Sequence, residues 1–212
     1  MSTQRDIKNH QNWDNLQGKK EGIVLRAPTP TQPSITVLDA VSGKLRCFIH
    51  HKSHNSYAAG LRIEYVTTHF GHTLYLEQGE LISSPFDLAR DDILFIHHLL
   101  ELCDRFMPID SPAPEIWSLL LQLYTWDVRT LVFTHKLFFL SRLVLLLGLH
   151  ERYPVLELPV LEQLLSFSVD RVPWPTLDLD SQRSLRVWLV ETILCHIPSE
   201  QFTTLSFLRD IR

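Results

Sequence analysis

Residues 44–55, with the sequence KLRCFIHHKSHN, combine cations, an aromatic ring and three histidines in one short run. The two-residue period of a β-strand would place Lys44, Arg46 and Phe48 on one face and the intervening apolar residues on the other. Cations beside a ring suit single-stranded nucleic acid, because phosphates bind charge and unstacked bases stack on rings. The alternative is a solvated strand face that binds nothing. The predicted DNA-binding residues are Arg26, Lys44, Arg46, Phe48, His50, Lys52 and Arg62.

The histidines His50, His51 and His54 raise a second hypothesis, a metal-dependent hydrolase. Adjacent strand residues point to opposite faces, so His50 and His51 share one ion only where the strand has ended. No carboxylate lies between Asp39 and Glu64 to complete a ligand set. The chain also lacks a Walker loop, a GxSxG elbow and an HExxH helix. The sequence therefore predicts a binding protein rather than an enzyme, with no metal and no cofactor.

A strongly apolar run, residues 131–149, is preceded by Arg129 and interrupted by Lys136 and Arg142. These charges favour a buried helix over a membrane span, so we expect no membrane association. Cations on such a helix are either snorkelling side chains or the rim of a groove that receives an acidic, apolar peptide. The second interpretation predicts a peptide site at Arg129, Lys136 and Arg142.

Elements of two kinds must position these residues. Five β-type runs occupy residues 22–82, and the segments between them hold prolines and glycines. The hydrophobic period then becomes helical, beginning with the capping-box pattern SPFD at residues 84–87. Further helices are predicted near residues 111–115, from Asp127 to Gly148, at residues 158–167, from Ser181 and at residues 201–210. The predicted fold class is α+β, a five-stranded β-barrel followed by an all-α helical bundle.

The predicted division of the chain is a flexible N-terminal arm at residues 1–20, the barrel at 21–83 and the helical domain at 84–212. The first 85 residues carry nine Lys or Arg against seven Asp or Glu, whereas the remainder carries eleven against seventeen. An anion-binding surface is therefore expected in the barrel. The three cysteines are far apart in sequence, which argues against a disulfide framework or zinc ribbon and favours a cytoplasmic location.

Several segments, in this order, resemble the bacterial DNA repair protein RecO family. The first part has EGIVLR, a strand running into SGK, and a basic turn containing KS. The helical part has EIWSLLLQLY, KLFFLSRLVLLLGLHERYPVL and LRVWLVETILCHIPSEQFTTLSFL, which look like that family's second, central and closing helices. The resemblance covers roughly residues 20–210 and implies an OB-type barrel followed by a helical domain.

The resemblance also implies a function, that of a recombination mediator with strand-annealing ability. Such a protein binds single-stranded DNA, engages the acidic tail of the single-strand binding protein SSB, and helps RecR to load RecA. The alternative is an interaction module that has kept the fold and lost DNA binding. On that alternative, an acidic peptide docks beside Arg129, Lys136 and Arg142.

The chain departs from the family pattern at two places. HHKSH stands where the family commonly has a glycine-rich turn with successive arginines, which implies weaker or pH-dependent DNA binding because histidine is mostly uncharged at neutral pH. No cysteine lies between Cys103 and Cys195, so the four-cysteine zinc module of some members is not expected here.

Overall fold

The computed structural model describes residues 18–49, 57–85, 93–125, 132–149 and 176–196. In this part of the chain five strands precede four helices, which confirms the predicted α+β class. The strands are β1 (Lys20–Arg26), β2 (Ser34–Asp39), β3 (Gly43–Ile49), β4 (Arg62–Phe70) and β5 (Thr73–Ser83). The helices are α1 (Ile93–Phe106), α2 (Pro114–Thr125), α3 (Phe133–Leu146) and α4 (Leu179–His196).

The strands form a closed barrel in the order β1-β2-β3-β5-β4. Strands β1, β2 and β3 pair as an antiparallel meander, and β4 and β5 pair as a hairpin. Two further pairings close the barrel, an antiparallel one between β1 and β4 and a parallel one between β3 and β5. This is an OB-type barrel, in which closure leaves no long unpaired edge.

Alternation of side chains fills the barrel interior with apolar residues. This cluster contains Val24, Ile35, Val37, Leu45, Cys47, Ile49, Ile63, Tyr65 and Leu76. The phenol of Tyr65 is also buried, and it donates a hydrogen bond of 2.6 Å to Asp39 Oδ2. The other oxygen of that carboxylate accepts the backbone N–H groups of Val41 and Ser42, so the buried charge has hydrogen-bond partners.

The outer face of the barrel forms a second hydrophobic cluster with the helices. Ile23, Leu25 and Leu38 belong to it, together with residues of α1, α2, α3 and α4. A register shift between Val24 and Arg26 marks a β-bulge, so that Leu25, which packs with the helices, and the exposed Arg26, which pairs with Thr36, both lie on the outer face. The barrel and the helices therefore share this second cluster, which is distinct from the cluster inside the barrel.

The segment between α1 and α2 runs along the start of β3. The backbone N–H of Asp110 donates to Lys44 O at 2.8 Å. At Gly43 a Cβ atom would lie 1.8 Å from Ser111 O, and the backbone there has a φ of +75°. Only glycine fits both demands, since other residues rarely adopt that φ and the chain lies too close for a side chain. Tyr124 of α2 adds a hydrogen bond of 2.6 Å to Gly60 O.

Helix α3 is the central helix of the bundle, as predicted, because it contacts each of the other described helices. Its C-terminus is a Schellman motif: Leu149 N–H donates to Val144 O, Gly148 N–H donates to Leu145 O, and Gly148 has a φ of +69°. The predicted stop at Gly148 is thus confirmed. The predicted start near Asp127 is wrong, because Val132 is extended and the helix begins at Phe133.

The apolar run that contains α3 packs inside the bundle. Leu137, Phe138, Phe139, Leu140, Leu143 and Val144 are all buried in this helix. No described helix is both long enough and apolar enough to cross a bilayer. The predicted helices at residues 158–167 and 201–210 lie outside the described residues, as does most of the predicted arm.

Candidate nucleic-acid interface

The outward-facing residues of the barrel form rows that run across neighbouring strands. The first row joins Arg62, Ile23, Leu38 and Lys44 across β4, β1, β2 and β3. The second joins Arg26, Thr36 and Arg46, and the third joins Ser34, Phe48, Tyr75 and Thr68. Neighbours in such a row are about 5 Å apart, so their side chains act together.

The second row carries two arginines, Arg26 and Arg46, on either side of Thr36. Both arginines are exposed, and hydroxyl groups of β2 orient their guanidinium groups. Arg46 Nε donates to Ser34 Oγ at 3.1 Å, and Arg26 Nη2 donates to Thr36 Oγ1 at 3.3 Å. Among the described residues Arg46 has no carboxylate partner. Its remaining N–H groups can bind an anion from solvent.

The third row adds an aromatic pair. Phe48 is 38% exposed, and its ring centroid lies 6.0 Å from that of Tyr75 with an interplanar angle of 44°. The two rings come from β3 and β5, which are parallel neighbours in the closed barrel. Flat rings next to arginines provide stacking and charge together, the combination that single-stranded nucleic acid needs.

Lys44 lies on the outer face as strand parity predicts, but the expectation that it is presented to DNA is wrong. The residue is only 7% exposed because α1 covers it, and its Nζ donates to the carbonyl oxygen of Asp104 at 2.7 Å. That carbonyl is one of the last four of α1, which lack partners inside the helix. Burial lowers the pKa of the Lys44 ammonium, an effect that the nearby Asp104 carboxylate opposes. Lys44 therefore fastens α1 to the barrel.

Arg62 does not join the other arginines either. It lies in the first row, where the helix-covered Ile23 and Leu38 separate it from β3. Its Nε also forms an ion pair of 2.6 Å with Glu21 Oε1. The hydrogen bond to Glu21 raises the pKa of the guanidinium. Because of this position and this ion pair, Arg62 is not part of the surface formed by Arg26 and Arg46.

Two of the predicted DNA-binding residues, His50 and Lys52, lie outside the described residues, as do His51 and His54 of the metal hypothesis. Across the described ranges, no group of three or more His, Cys, Asp or Glu is arranged to hold a metal ion. The structure thus brings together Arg26, Arg46 and Phe48, and adds Tyr75. We call these four residues the open face.

The alternation in TLYLEQ carried a signal for Tyr75. It places Leu74 and Leu76 on the opposite side of the strand from Tyr75, and Leu76 packs inside the barrel. What local sequence does not reveal is that β5 lies beside β3, since that pairing depends on the order of strands around the barrel.

The predicted peptide site is only partly assembled. Arg142 lines a groove of about 290 Å³ between α2 and α3, together with Pro114, Glu115, Ser118, Leu119, Gln122 and Leu146. Lys136 does not line this groove, because it precedes Arg142 by six residues and hence lies about 120° away around the helix. Arg129 is outside the described residues and precedes the start of α3.

No protein-family model matches the chain, and no curated protein matches it. A function must therefore be inferred from the side chains of the open face and its surroundings.

Proposed function

We propose that the protein binds single-stranded DNA on the open face. The observation that carries the proposal is the outward alternation of Arg46 and Phe48 on β3, with the Tyr75 ring 6.0 Å from that of Phe48. Arginine supplies contacts to the phosphates, and each ring can take one base without regard to its identity. Binding of this kind is tolerant of sequence and requires no catalytic group.

Resemblance to the RecO family extends this proposal to a recombination mediator. In that role the protein holds single-stranded DNA and the tail of SSB while RecR and RecA are recruited. Arg142 supplies a cation for the carboxylates of an acidic peptide tail, and Leu119 and Leu146 supply apolar contacts, whereas Glu115 in the same groove is one opposing charge. RecR, RecA and strand annealing enter the proposal through the resemblance alone.

Fluorescence anisotropy of a labelled single-stranded oligonucleotide, titrated at two salt concentrations, tests the DNA-binding proposal. We expect affinity to fall as salt rises, because bound phosphates release counterions. Arg46→Glu should weaken binding by roughly tenfold or more. The control is Arg183→Glu, which makes the same charge change on α4, where Arg183 is 78% exposed. Equal losses in both variants, or no binding by the native protein, would overturn the proposal.

The peptide contact has a separate test. A synthetic acidic SSB tail peptide should bind the native protein, and Arg142→Ala should weaken that binding by about 1 kcal/mol or more. Arg183→Ala provides the control, since it removes a cation from an exposed position on another helix. Peptide binding together with absence of DNA binding would favour the alternative function, an interaction module that has lost DNA binding.

A further inference from the structure

A cleft of about 500 Å³ lies where α1 meets the outer face of the barrel. Its floor is the second row, Arg26, Thr36 and Arg46, with Lys44 at one end. One wall consists of α1 residues, namely His97, Leu100, Glu101, Asp104 and Arg105. Ala27, Ala59 and Ile109 border the remaining sides. The cleft therefore shares its two arginines with the open face but has walls that the open face lacks.

The charges of the cleft favour an anion. Four cationic side chains line it, Arg26, Lys44, Arg46 and Arg105, against the two carboxylates of Glu101 and Asp104. The formal excess is thus two positive charges. A phosphate monoester carries about −1.5 to −2 at neutral pH, whereas a phosphodiester linkage carries one negative charge. The charge of the cleft matches a terminal phosphate better than a linkage within a strand.

Both carboxylates of the cleft already contact arginines. Glu101 Oε1 lies 3.0 Å from Arg105 Nη2, one helical turn away on α1. Asp104 Oδ2 lies 3.5 Å from Arg26 Nε, across the cleft from α1 to β1. The second pair is long for a hydrogen bond, and the Arg26 side chain is 44% exposed. The Asp104 side chain is 17% exposed and makes this one long contact with Arg26, whereas a phosphate can form two parallel hydrogen bonds with the same guanidinium.

We propose that this cleft binds the terminal phosphate of a nucleotide between Arg26 and Arg46, and that Asp104 occupies Arg26 when no phosphate is bound. The phosphate belongs either to a free nucleotide or to the phosphorylated end of a DNA strand lying on the open face. The second source rests on the proposed function, whereas the first does not.

The test uses three oligonucleotides of one sequence, carrying a 5′-phosphate, a 3′-phosphate or hydroxyl groups at both ends, each labelled on an internal base. We expect one phosphorylated form to bind the native protein about tenfold more tightly than the hydroxyl form. Arg26→Met should abolish that difference. Asp104→Asn should enlarge it roughly two- to fivefold, because the competing carboxylate is gone while the carbonyl that accepts from Lys44 remains.

The control for Asp104→Asn is Asp180→Asn. Asp180 also forms an ion pair with an arginine, at 3.4 Å from Arg183, but it lies on α4 and its side chain is 90% exposed. Asp180→Asn removes the same charge as Asp104→Asn, so a general electrostatic effect would raise the affinity for the phosphorylated oligonucleotide equally in both variants. An equal rise would overturn the assignment of Asp104. Thermal unfolding of each variant checks that the fold is intact.

Free nucleotide is measured separately, by chemical-shift changes in NMR spectra on addition of thymidine 5′-monophosphate or thymidine. Saturable shifts at α1 and β3 with the monophosphate but not with thymidine would establish the phosphate site even if no oligonucleotide bound. Tight binding of all three oligonucleotides without a phosphate preference, and no response to the monophosphate, would overturn the cleft proposal and leave DNA binding on the open face intact.

Discussion

Two regions of the outer face of the barrel are built by the same alternation of side chains. Under α1 the outward residues are Ile23, Leu25 and Leu38, which pack with the helices, and Lys44, which caps the end of α1. Beyond the edge of α1 the outward residues include those of the open face, Arg26, Arg46, Phe48 and Tyr75. Strand parity determines which residues point outward, but the position of one helix determines which of them can meet a ligand. We call the first region the covered face.

The covered face should contribute mainly to stability. Leu38→Ala removes a fully buried side chain between barrel and helices, so we expect the free energy of unfolding to fall by about 2–5 kcal/mol. Urea denaturation followed by circular dichroism measures this loss. Leu81→Ala is the control, since Leu81 is 63% exposed on β5 and its truncation should cost less than about 0.5 kcal/mol. Similar losses in the two variants would contradict the distinction between the faces.

The covering helix should also be sensitive to acid through His98. Burial lowers the pKa of this imidazole to about 4, and the nearby Glu101 carboxylate opposes the shift only in part. The unfolded chain binds a proton near pH 6.5, so the stability from neutral His98 is complete above that pH and is lost as pH falls towards 4. Denaturation curves across this range should show a loss of about 3 kcal/mol. His98→Gln should flatten that dependence; an unchanged pH profile would contradict it.

The open face should contribute mainly to binding. Phe48→Ala removes a partly exposed ring, and we expect the free energy of single-stranded DNA binding to weaken by about 1–3 kcal/mol. The free energy of unfolding should change much less than for Leu38→Ala. Phe133→Ala is a matched control, because Phe133 is 40% exposed at the start of α3, a helix that contributes no residue to the open face. Equal affinity of the Phe48 and Phe133 variants for single-stranded DNA would show that the Phe48 ring does not contribute to binding.

Much of the fold follows from local sequence. The alternation in KLRCFI predicted the two faces of β3, and the structure has Leu45, Cys47 and Ile49 inside the barrel with Arg46 and Phe48 exposed. Gly148 predicted the end of α3, because a left-handed residue favours glycine there. These features depend on neighbours in the chain, which a sequence displays directly.

The candidate site was predicted less well, because it depends on contacts between distant residues. In the sequence Lys44 has the same charge and strand parity as Arg46. In the structure α1, some 60 residues later in the chain, covers Lys44. Arg62 on β4 forms an ion pair with Glu21 on the neighbouring strand β1. Tyr75 belongs to the open face because β5 pairs in parallel with β3. Each outcome required the order of strands around the barrel and the docking of a helix, neither of which a local pattern contains.

The most direct test of the open face compares Lys44→Met with Arg46→Met, two variants that each remove one cation from the same face of β3. The measurement is anisotropy of an oligonucleotide with hydroxyl groups at both ends, at several salt concentrations. Arg46→Met should weaken binding about tenfold and reduce the salt slope by about 0.7, as expected for one lost phosphate contact. Lys44→Met should stay within about twofold of the native protein, because its ammonium is engaged by Asp104 O. Equal losses in both variants, or a larger loss at Lys44, would contradict the assignment of the open face as the DNA-binding surface.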